Sequence, residues 1–400
     1  MITTTINASK TLLKHLECPE CGALYDPSSL ISVCTNPACQ STLFARYDIA
    51  GNTLNKEMLA GREANMWRYR EMLPVIDNLN IVSMGEGFTP VIPVENLKQA
   101  TGDNRVFIKN ESGNPTGSFK ARGISMAVSK AKELGIKTVA IPTAGNAGGA
   151  MSAYAARAGM GAVVYMPKLT PRLFKDECRV YGAEVVEVDG NISDCAKLVH
   201  EQAAQKNWFP ISTLREPYRV EGKKTMGYEI AEQFNWQLPD VIFFPTGGGT
   251  GLIGICKAFD EMEQLGWIGS KRPRMVAVQS ASCCGLVKAF NNGSANAEFI
   301  DGGYTIANGL RVPKSYADKQ LLKAIRNSNG TALAINDAEM LAGLKELARN
   351  EGLFVSPEGA ALWQAFKKLK SERWIKDGET VVLINTGSGY KYLENINADL

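Results

Sequence analysis

A lysine beside a glycine-rich turn is the residue of this 400-residue sequence best placed to do chemistry. Lys120 lies in ESGNPTGSFKARG (111–123), which follows a short apolar run and opens an apolar stripe with helical spacing. The pattern predicts a helix with Ser118 as its N-cap and Lys120 in its first turn. The helix dipole lowers the pKa of a lysine placed there, and a neutral amine is the form that gives a Schiff base.

A second glycine-rich segment, residues 142–159, also lies between a strand-like run and a helix-like run. Gly145 and Asn146 would present a backbone N–H and a side-chain amide beyond the carboxyl end of the strand, where open α/β sheets bind ligands. Close packing of the helix on the sheet would explain the same small residues. This segment by itself leaves both interpretations open.

A third such segment, PTGGGTGLIG (245–254), indicates a ligand more strongly. The backbone N–H groups from Gly247 to Gly251, at the start of a helix, would form a cradle for a phosphate. The segment also matches GxGxxG, but the next strand-like run ends in Gln279, where a dinucleotide site needs an acidic residue. A small monophosphate therefore fits the segment better than a dinucleotide.

The scarcity of histidine narrows the chemistry further. The two histidines, His15 and His200, lie in no motif, which disfavours histidine triads and histidine-ligated catalytic zinc. A lysine at a helix start, together with a phosphate cradle, is typical of enzymes that use pyridoxal 5′-phosphate, to which the lysine binds as an imine. Thr386, directly after the late strand-like run VVLIN, is placed to face the pyridine nitrogen of that cofactor.

Four cysteines near the amino terminus form two pairs, Cys18 with Cys21 and Cys34 with Cys39. Such pairs on tight turns can place four thiolates around one zinc ion, and four thiolates leave no open position for catalysis. The spacing therefore favours a structural zinc ribbon. A short reduced hairpin with incidental cysteines is the alternative.

Composition and charge exclude several classes of protein. The 44 Lys and Arg against 41 Asp and Glu give a net charge of +3 without basic runs, which argues against a nucleic-acid surface. No apolar stretch is long enough for a membrane span, and the first residues lack the apolar region of a secretory signal. Nine cysteines without such a signal predict a reducing, cytoplasmic location.

The elements that would position these residues alternate along the chain. Short, β-branched, almost continuously apolar runs predict strands that are covered on both faces. These runs are 105–109, 138–142, 162–167, 184–188, 241–245, 275–279 and 381–385. Apolar residues at helical spacing predict helices between them, including 118–134, 251–265, 337–350 and 357–370. A polar helical stretch is predicted from Tyr47 to Arg70. The alternation indicates a doubly wound, mostly parallel α/β body.

Five ordered motifs give the chain a resemblance to a known family. NPTGSFKARG, PTAGNAGGA, EGKKTMGYE, PTGGGTGL and NTGSGYK occur in that order. They resemble the fold-type II pyridoxal-phosphate enzymes, which include the tryptophan synthase β chain, and look most like the threonine synthases. The similarity runs from residue 83 to about residue 392. Many threonine synthases also carry an amino-terminal segment with paired cysteines.

The resemblance implies roles for individual residues. The cofactor-binding residues would be Lys120, Asn146, Gly247, Gly248, Gly249, Thr250, Gly251 and Thr386. Lys120 would form the Schiff base and act as acid and base, Asn146 would bind the 3′-oxygen, and Thr386 would face the ring nitrogen. Thr143 and Arg219 match positions that contact the substrate phosphate. Lys223 and Lys224 lie one helical turn further on.

The resemblance also implies an architecture, namely two doubly wound α/β domains with the cofactor between them. Residues 1–50 would form the zinc-ribbon-like segment, residues 51–125 and 220–400 the large domain, and residues 126–219 the small domain. A homodimer that binds a small amino-acid phosphate, without nucleic acid or membrane, is expected.

Threonine synthases are lyases that eliminate phosphate from O-phospho-L-homoserine and add water to give L-threonine, and we expect that activity. Ala121 and Ala147 depart from the usual threonine synthase pattern, and the deaminases share SFKxRG. The alternative is therefore a β-eliminating or β-replacing enzyme on serine, threonine or phosphoserine, either deaminase-like or sulfur-incorporating. The cysteine segment, EGKKT (221–225) and Thr386 favour the synthase.

Overall fold

The strands form three sheets within residues 10–300 and 303–396, which the computed structural model describes. In chain order the strands are β1 (Leu13–Glu17), β2 (Leu24–Tyr25), β3 (Phe44–Tyr47), β4 (Val91–Pro93), β5 (Arg105–Asn110), β6 (Thr138–Pro142), β7 (Gly161–Pro167), β8 (Glu184–Val188), β9 (Phe209–Pro210), β10 (Val241–Pro245), β11 (Arg274–Ser280), β12 (Thr331–Ile335) and β13 (Thr380–Asn385).

The helices lie mainly between the strands. They are α1 (Lys98–Thr101), α2 (Lys120–Glu133), α3 (Asn146–Ala158), α4 (Arg172–Val180), α5 (Ile192–Lys206), α6 (Arg219–Gln233), α7 (Thr250–Gln264), α8 (Gly285–Asn291), α9 (Asp318–Asn327), α10 (Asp337–Glu351), α11 (Pro357–Ser371) and α12 (Leu393–Ile396). Short 3₁₀ turns occur at Lys56–Leu59, Met66–Met72, Asn78–Asn80, Glu111–Gly113, Pro115–Gly117, Asn308–Leu310 and Gly389–Tyr392. No helix in the described ranges is both long and apolar enough to cross a membrane.

Two of the sheets are parallel or mostly parallel and are flanked by helices. The large sheet has the order β12–β11–β10–β13–β5–β4, in which only the edge strand β4 is antiparallel to its neighbour. The small sheet has the order β8–β7–β6–β9 and is parallel throughout. Strands β10 and β13 are buried along their whole length, as their unbroken apolar character predicts. The doubly wound α/β prediction is confirmed.

The amino-terminal sheet is separate and antiparallel, in the order β2–β1–β3. It carries the cysteine pairs and packs on the main body through Tyr47, at the end of β3. The Tyr47 hydroxyl donates to the Glu221 carboxylate of α6 at 2.8 Å. The Tyr47 ring lies under the ammonium groups of Lys224 and Lys257, at 3.9 and 4.9 Å. This contact fixes the ribbon-like sheet against the most buried helix of the body.

The predicted polar helix between Tyr47 and Arg70 is wrong. The chain there forms only short 3₁₀ turns and irregular backbone. The Arg68 guanidinium donates to the carbonyls of Leu59, Arg62 and Glu63, so a side chain satisfies acceptors that helical N–H groups would otherwise satisfy. Helical spacing of polar residues does not reveal such a contact.

Helix α6 is buried over most of its length. Its residues from Arg219 to Ala231 are all buried, although five of the first eleven are charged. It packs against α2 on one side and α7 on another. A buried helix of this composition must give each charged group a partner or present it to a ligand, because an uncompensated buried charge is costly.

Candidate active site

The three glycine-rich segments meet at one cleft of about 830 Å³. Helices α2, α3 and α7 begin there, after β5, β6 and β10. All residues predicted to bind cofactor or substrate line this cleft, namely Lys120, Thr143, Asn146, Arg219, Gly247, Gly248, Gly249, Thr250, Gly251 and Thr386. Residues from distant parts of the chain therefore converge at the carboxyl ends of parallel strands, where such sheets bind ligands.

Lys120 is the first residue of α2, in agreement with the prediction that it lies in the first turn. Burial, reinforced by the positive charge of Arg219, lowers the pKa of Lys120 to about 8. Its ammonium lies 4.5 Å from the centre of the Phe119 ring and makes no ion pair or hydrogen bond with any described residue. The amine is therefore free to react and has a sizeable neutral fraction near neutral pH.

The prediction that Ser118 caps this helix is wrong. Helix α2 has no side-chain N-cap, and Ser118 lies two residues before it in extended backbone, bridged to Gly387. The Phe119 N–H donates instead to the Thr386 carbonyl at 3.0 Å. The Ser118 hydroxyl is buried and has no hydrogen-bond partner in the structure. The start of α2 is thus fixed by the strand-end segment that carries Thr386.

The glycine loop before α7 has the geometry of an anion cradle. Gly249 adopts left-handed backbone with φ of +75°, and Thr250 begins the helix. A Cβ on Gly247 would lie 2.2 Å from the Gly309 carbonyl oxygen, so only glycine fits. The Thr250 hydroxyl is buried without a partner, and the first N–H groups of a 15-residue helix converge on the same space. A phosphate group would satisfy these donors.

A hydrogen-bonded chain connects Asn146 to the opposite wall of the cleft. The Asn146 amide donates to the Tyr392 hydroxyl at 3.0 Å, which donates to the Glu358 carboxylate at 2.8 Å. Glu358 also accepts the Gly309 N–H at 2.8 Å. The Asn146 carbonyl oxygen is buried and unpartnered, so it remains available to a ligand. Tyr392 and Glu358 were not predicted, although Tyr392 follows the NTGSGYK motif directly.

Two cations of α6 face the cleft without carboxylate partners. One nitrogen of Arg219, Nη1, donates to the Ile211 carbonyl and the Thr213 hydroxyl, both at 3.1 Å. The other two nitrogens, Nε and Nη2, are buried and have no partner. Lys223, one turn along, also lines the cleft, whereas Lys224 does not. Thr143 is buried nearby, where its hydroxyl accepts the Gly145 N–H at 3.2 Å.

The four predicted metal ligands come together in the amino-terminal sheet. The sulfur atoms of Cys18, Cys21, Cys34 and Cys39 all lie within 4.8 Å of one another. Gly22, with φ of +73°, closes the first turn by donating its N–H to the Cys18 carbonyl at 2.9 Å. This set of four thiols suits a structural Zn²⁺ ion, and it lies outside the cleft.

Comparison with known proteins defines the class of protein. Residues 82–387 match the family described as "Pyridoxal-phosphate dependent enzyme". The chain belongs to this family of enzymes. Maize serine racemase has the same fold, with a TM-score of 0.65 at 21% identity over 77% of this chain and 93% of that chain. Diaminopropionate ammonia lyase from Escherichia coli gives a TM-score of 0.65 at 19% identity, over 78% of this chain and 88% of the other.

More specific relatives are found by sequence. The threonine synthase of Methanocaldococcus jannaschii is 36% identical over 377 residues, which cover 94% of this chain and 92% of the relative. The threonine synthase of Methanosarcina acetivorans is 36% identical over 374 residues, which cover 93% and 91%. The similarity to these relatives thus extends over nearly the whole chain.

Proposed function

We propose that this enzyme converts O-phospho-L-homoserine and water to L-threonine and phosphate. The proposal is supported by the threonine synthase relatives, which extend over nearly the whole chain, and by the residues that line the cleft. One observation carries it: the cleft offers two distinct anion sites. The glycine loop suits the cofactor's phosphate, and the unpartnered nitrogens of Arg219 suit a second anion, a phosphate on the substrate.

The residues of the cleft fit pyridoxal 5′-phosphate. Lys120 would hold it covalently, Gly247 to Gly251 would bind its phosphate, and the free oxygen of Asn146 lies ready for one of its polar groups. Thr386 would face the ring nitrogen as an uncharged partner. When bound, the cofactor supplies an electron sink for negative charge that develops beside the amino group of the substrate.

The protein's own groups would carry the protons and the leaving group. Lys120 takes the α-proton and then assists loss of a β-proton, so that the bond between Cγ and the phosphate oxygen breaks with its electron pair on phosphate. Arg219 and Thr143 hold the departing phosphate. Protons return to Cγ and Cα. Water gives its hydroxide to Cβ and its remaining proton to the released phosphate, which balances the overall conversion.

We also propose the finer features that accompany this activity. The four cysteines would bind one structural zinc ion, and the enzyme would act in the cytoplasm as a homodimer. The small domain would comprise residues 126–219, and the large domain residues 51–125 and 220–400. The division is supported by the sheets, because β6 to β9 fall within the first range and β10 to β13 return to the large sheet.

The proposal is tested by incubating the cofactor-loaded enzyme separately with O-phospho-L-homoserine, O-phospho-L-serine and L-threonine. Inorganic phosphate, L-threonine and keto acids are measured in each reaction. We expect phosphate and L-threonine to be released together, in equal amounts, from O-phospho-L-homoserine. Faster keto-acid release from L-threonine, or turnover of O-phospho-L-serine alone, would replace the proposal with a β-eliminating or β-replacing activity.

A further inference from the structure

Lys223 is a buried lysine without a protein partner. Lys223 is only 2% exposed, yet its ammonium makes no ion pair or hydrogen bond with any described residue. The ammonium lies 4.8 Å from the centre of the Phe119 ring. Because burying an unpaired charge costs several kcal/mol, such a lysine requires either deprotonation or a ligand.

The surroundings of Lys223 are mostly positive. Burial, followed by the charges of Arg219 and Lys120, lowers the pKa of Lys223 well below its usual range, and Glu216 is the one carboxylate that opposes them. The Glu216 carboxylate is already engaged, since it accepts the backbone N–H groups of Tyr218 and Arg219. No carboxylate in the described part of the chain neutralises Lys223 directly. Without an anion nearby these surroundings favour the neutral amine, and a bound anion would favour the charged form.

Gly123 allows Lys223 to pack close to α2. A Cβ on Gly123 of α2 would lie 2.8 Å from the Arg219 carbonyl oxygen and 3.1 Å from the Lys223 Cε atom. The absence of a side chain at this position lets α2 and α6 approach closely. Lys120 and Lys223, on different helices, consequently flank the same Phe119 ring. Arg219 and Lys223 are four residues apart on α6 and therefore share one face of the helix.

We propose that Lys223 is a second cation for the phosphate of the substrate and that it makes the site selective for substrates with a dianionic group. Arg219 supplies one positive charge and Lys223 the other, which matches the two negative charges of a phosphate monoester. The glycine loop serves the cofactor's phosphate through backbone N–H groups, so the two cations are left for the substrate. This inference rests on the proposed function and names the recognition element of the same site.

The test uses cofactor-loaded enzyme in phosphate-free buffer and inorganic phosphate as the probe. Phosphate affinity is measured by calorimetry for the wild type, Lys223→Gln, Lys223→Met and Lys223→Arg. Lys197→Gln is the matched control, because Lys197 is an exposed lysine at the rim of the same cleft. L-Threonine, which carries no phosphate, is titrated in parallel through its effect on the visible absorbance of the bound cofactor.

We expect Lys223→Gln and Lys223→Met to weaken phosphate binding at least about tenfold, the effect of losing one charge-assisted hydrogen bond. Lys223→Arg should stay within about threefold of wild type, because it keeps the charge. Lys197→Gln should stay within about twofold, because Lys197 is exposed. L-Threonine affinity should stay within about twofold in every variant, because L-threonine carries no phosphate. The KM for O-phospho-L-homoserine should rise in parallel with the loss of phosphate affinity, with a smaller change in kcat.

Two results would overturn the inference. Unchanged phosphate affinity in Lys223→Met, with normal cofactor absorbance, would remove Lys223 from the subsite. Loss of cofactor affinity, with phosphate affinity intact after reloading, would assign Lys223 to the cofactor's phosphate instead. If the wild type releases no phosphate from O-phospho-L-homoserine while Lys223→Met still binds phosphate tenfold more weakly, the proposed function fails and the anion subsite stands.

Discussion

The buried charges on the two faces of helix α6 differ in whether they have partners within the protein. On the face toward α7, Lys224 lies 2.7 Å from Glu221 and 2.9 Å from Glu261, and Lys257 contacts the same two carboxylates. Two cations therefore meet two anions. On the face toward the cleft, Arg219 and Lys223 make no ion pair with any described carboxylate. The comparison distinguishes charged groups that are paired within the fold from charged groups that are available to bind a ligand.

A second paired network, between α2 and α6, reinforces the contrast. Arg122 contacts Glu111 at 2.6 Å and Glu229 at 2.7 Å, and Lys109 contacts Glu229 at 2.7 Å, all fully buried. Cations and carboxylates again balance, although Arg122 lies only two residues after Lys120. The cations of this network are therefore paired within the protein. Arg219 and Lys223, which line the cleft, make no such ion pair with any described carboxylate.

The largest effect is expected on the cleft side, from Lys120→Ala. Loss of the amine removes both cofactor attachment and proton transfer, so turnover should fall by more than about a thousandfold. The visible absorbance of the bound cofactor should disappear as well. Steady-state kinetics and absorbance spectra check both effects. Undiminished turnover in this variant would end the assignment of Lys120.

On the paired side, Arg122→Met should act on stability. The substitution leaves Glu111 and Glu229 as buried carboxylates with fewer partners, at a cost of roughly 3–5 kcal/mol in the free energy of unfolding. Urea unfolding of the cofactor-free protein measures the loss. Arg219→Ala, which breaks no ion pair among the described residues, is the matched control. A loss below about 1 kcal/mol in Arg122→Met would contradict the structural role of the network.

A smaller, binding-specific effect is expected from Arg219→Ala in the loaded enzyme. Its free nitrogens are assigned to the substrate phosphate, so the KM for O-phospho-L-homoserine should rise by at least about tenfold, equivalent to about 1.4 kcal/mol. Cofactor absorbance should not change. Intact kinetics with O-phospho-L-homoserine would favour a deaminase-like activity, in which no second phosphate binds.

The smallest catalytic effect is expected from removal of metal from the cysteine segment. Metal analysis of protein purified without chelator should find about one zinc ion per chain. Stripping it, or deleting residues 1–45, should lower Tm while kcat of the remaining folded enzyme changes less than about twofold, because the cysteines lie outside the cleft. Absence of metal would favour a reduced hairpin. A fall in kcat at constant Tm would mean that the ribbon acts on the cleft.

The sequence was sufficient for much of the fold because its parallel strands are buried on both faces. Runs such as VIFFP (241–245) leave no alternative to a covered strand, and the observed bounds agree. The strand TALAI (331–335) went unpredicted, because Leu333 and Ile335 are its only larger apolar residues. It becomes a strand through parallel pairing with β11, which is a tertiary effect.

Site residues could be predicted where a local sequence motif indicates them. They could not be predicted where their role depends on contacts formed only in the folded structure. Glycine segments at strand ends led to Lys120 and to the phosphate cradle. No sequence motif indicates Glu358, because its position in the site depends on hydrogen bonds to groups more than thirty residues away in the chain. Lys223 and Lys224 are identical and adjacent in the sequence. Only the rotation of about 100° per residue on a buried helix gives one a partner and leaves the other without.

That pair provides the most direct measurement of the central claim, that α6 separates structural charge from ligand-binding charge. The free energy of unfolding is compared for Lys223→Gln and Lys224→Gln, both cofactor-free and in phosphate-free buffer. Lys224→Gln should lose roughly 3 kcal/mol or more, because Glu221 and Glu261 lose a buried partner. Lys223→Gln should change stability by less than about 1 kcal/mol, because no protein group depends on it. Equal losses in the two variants would contradict the claim.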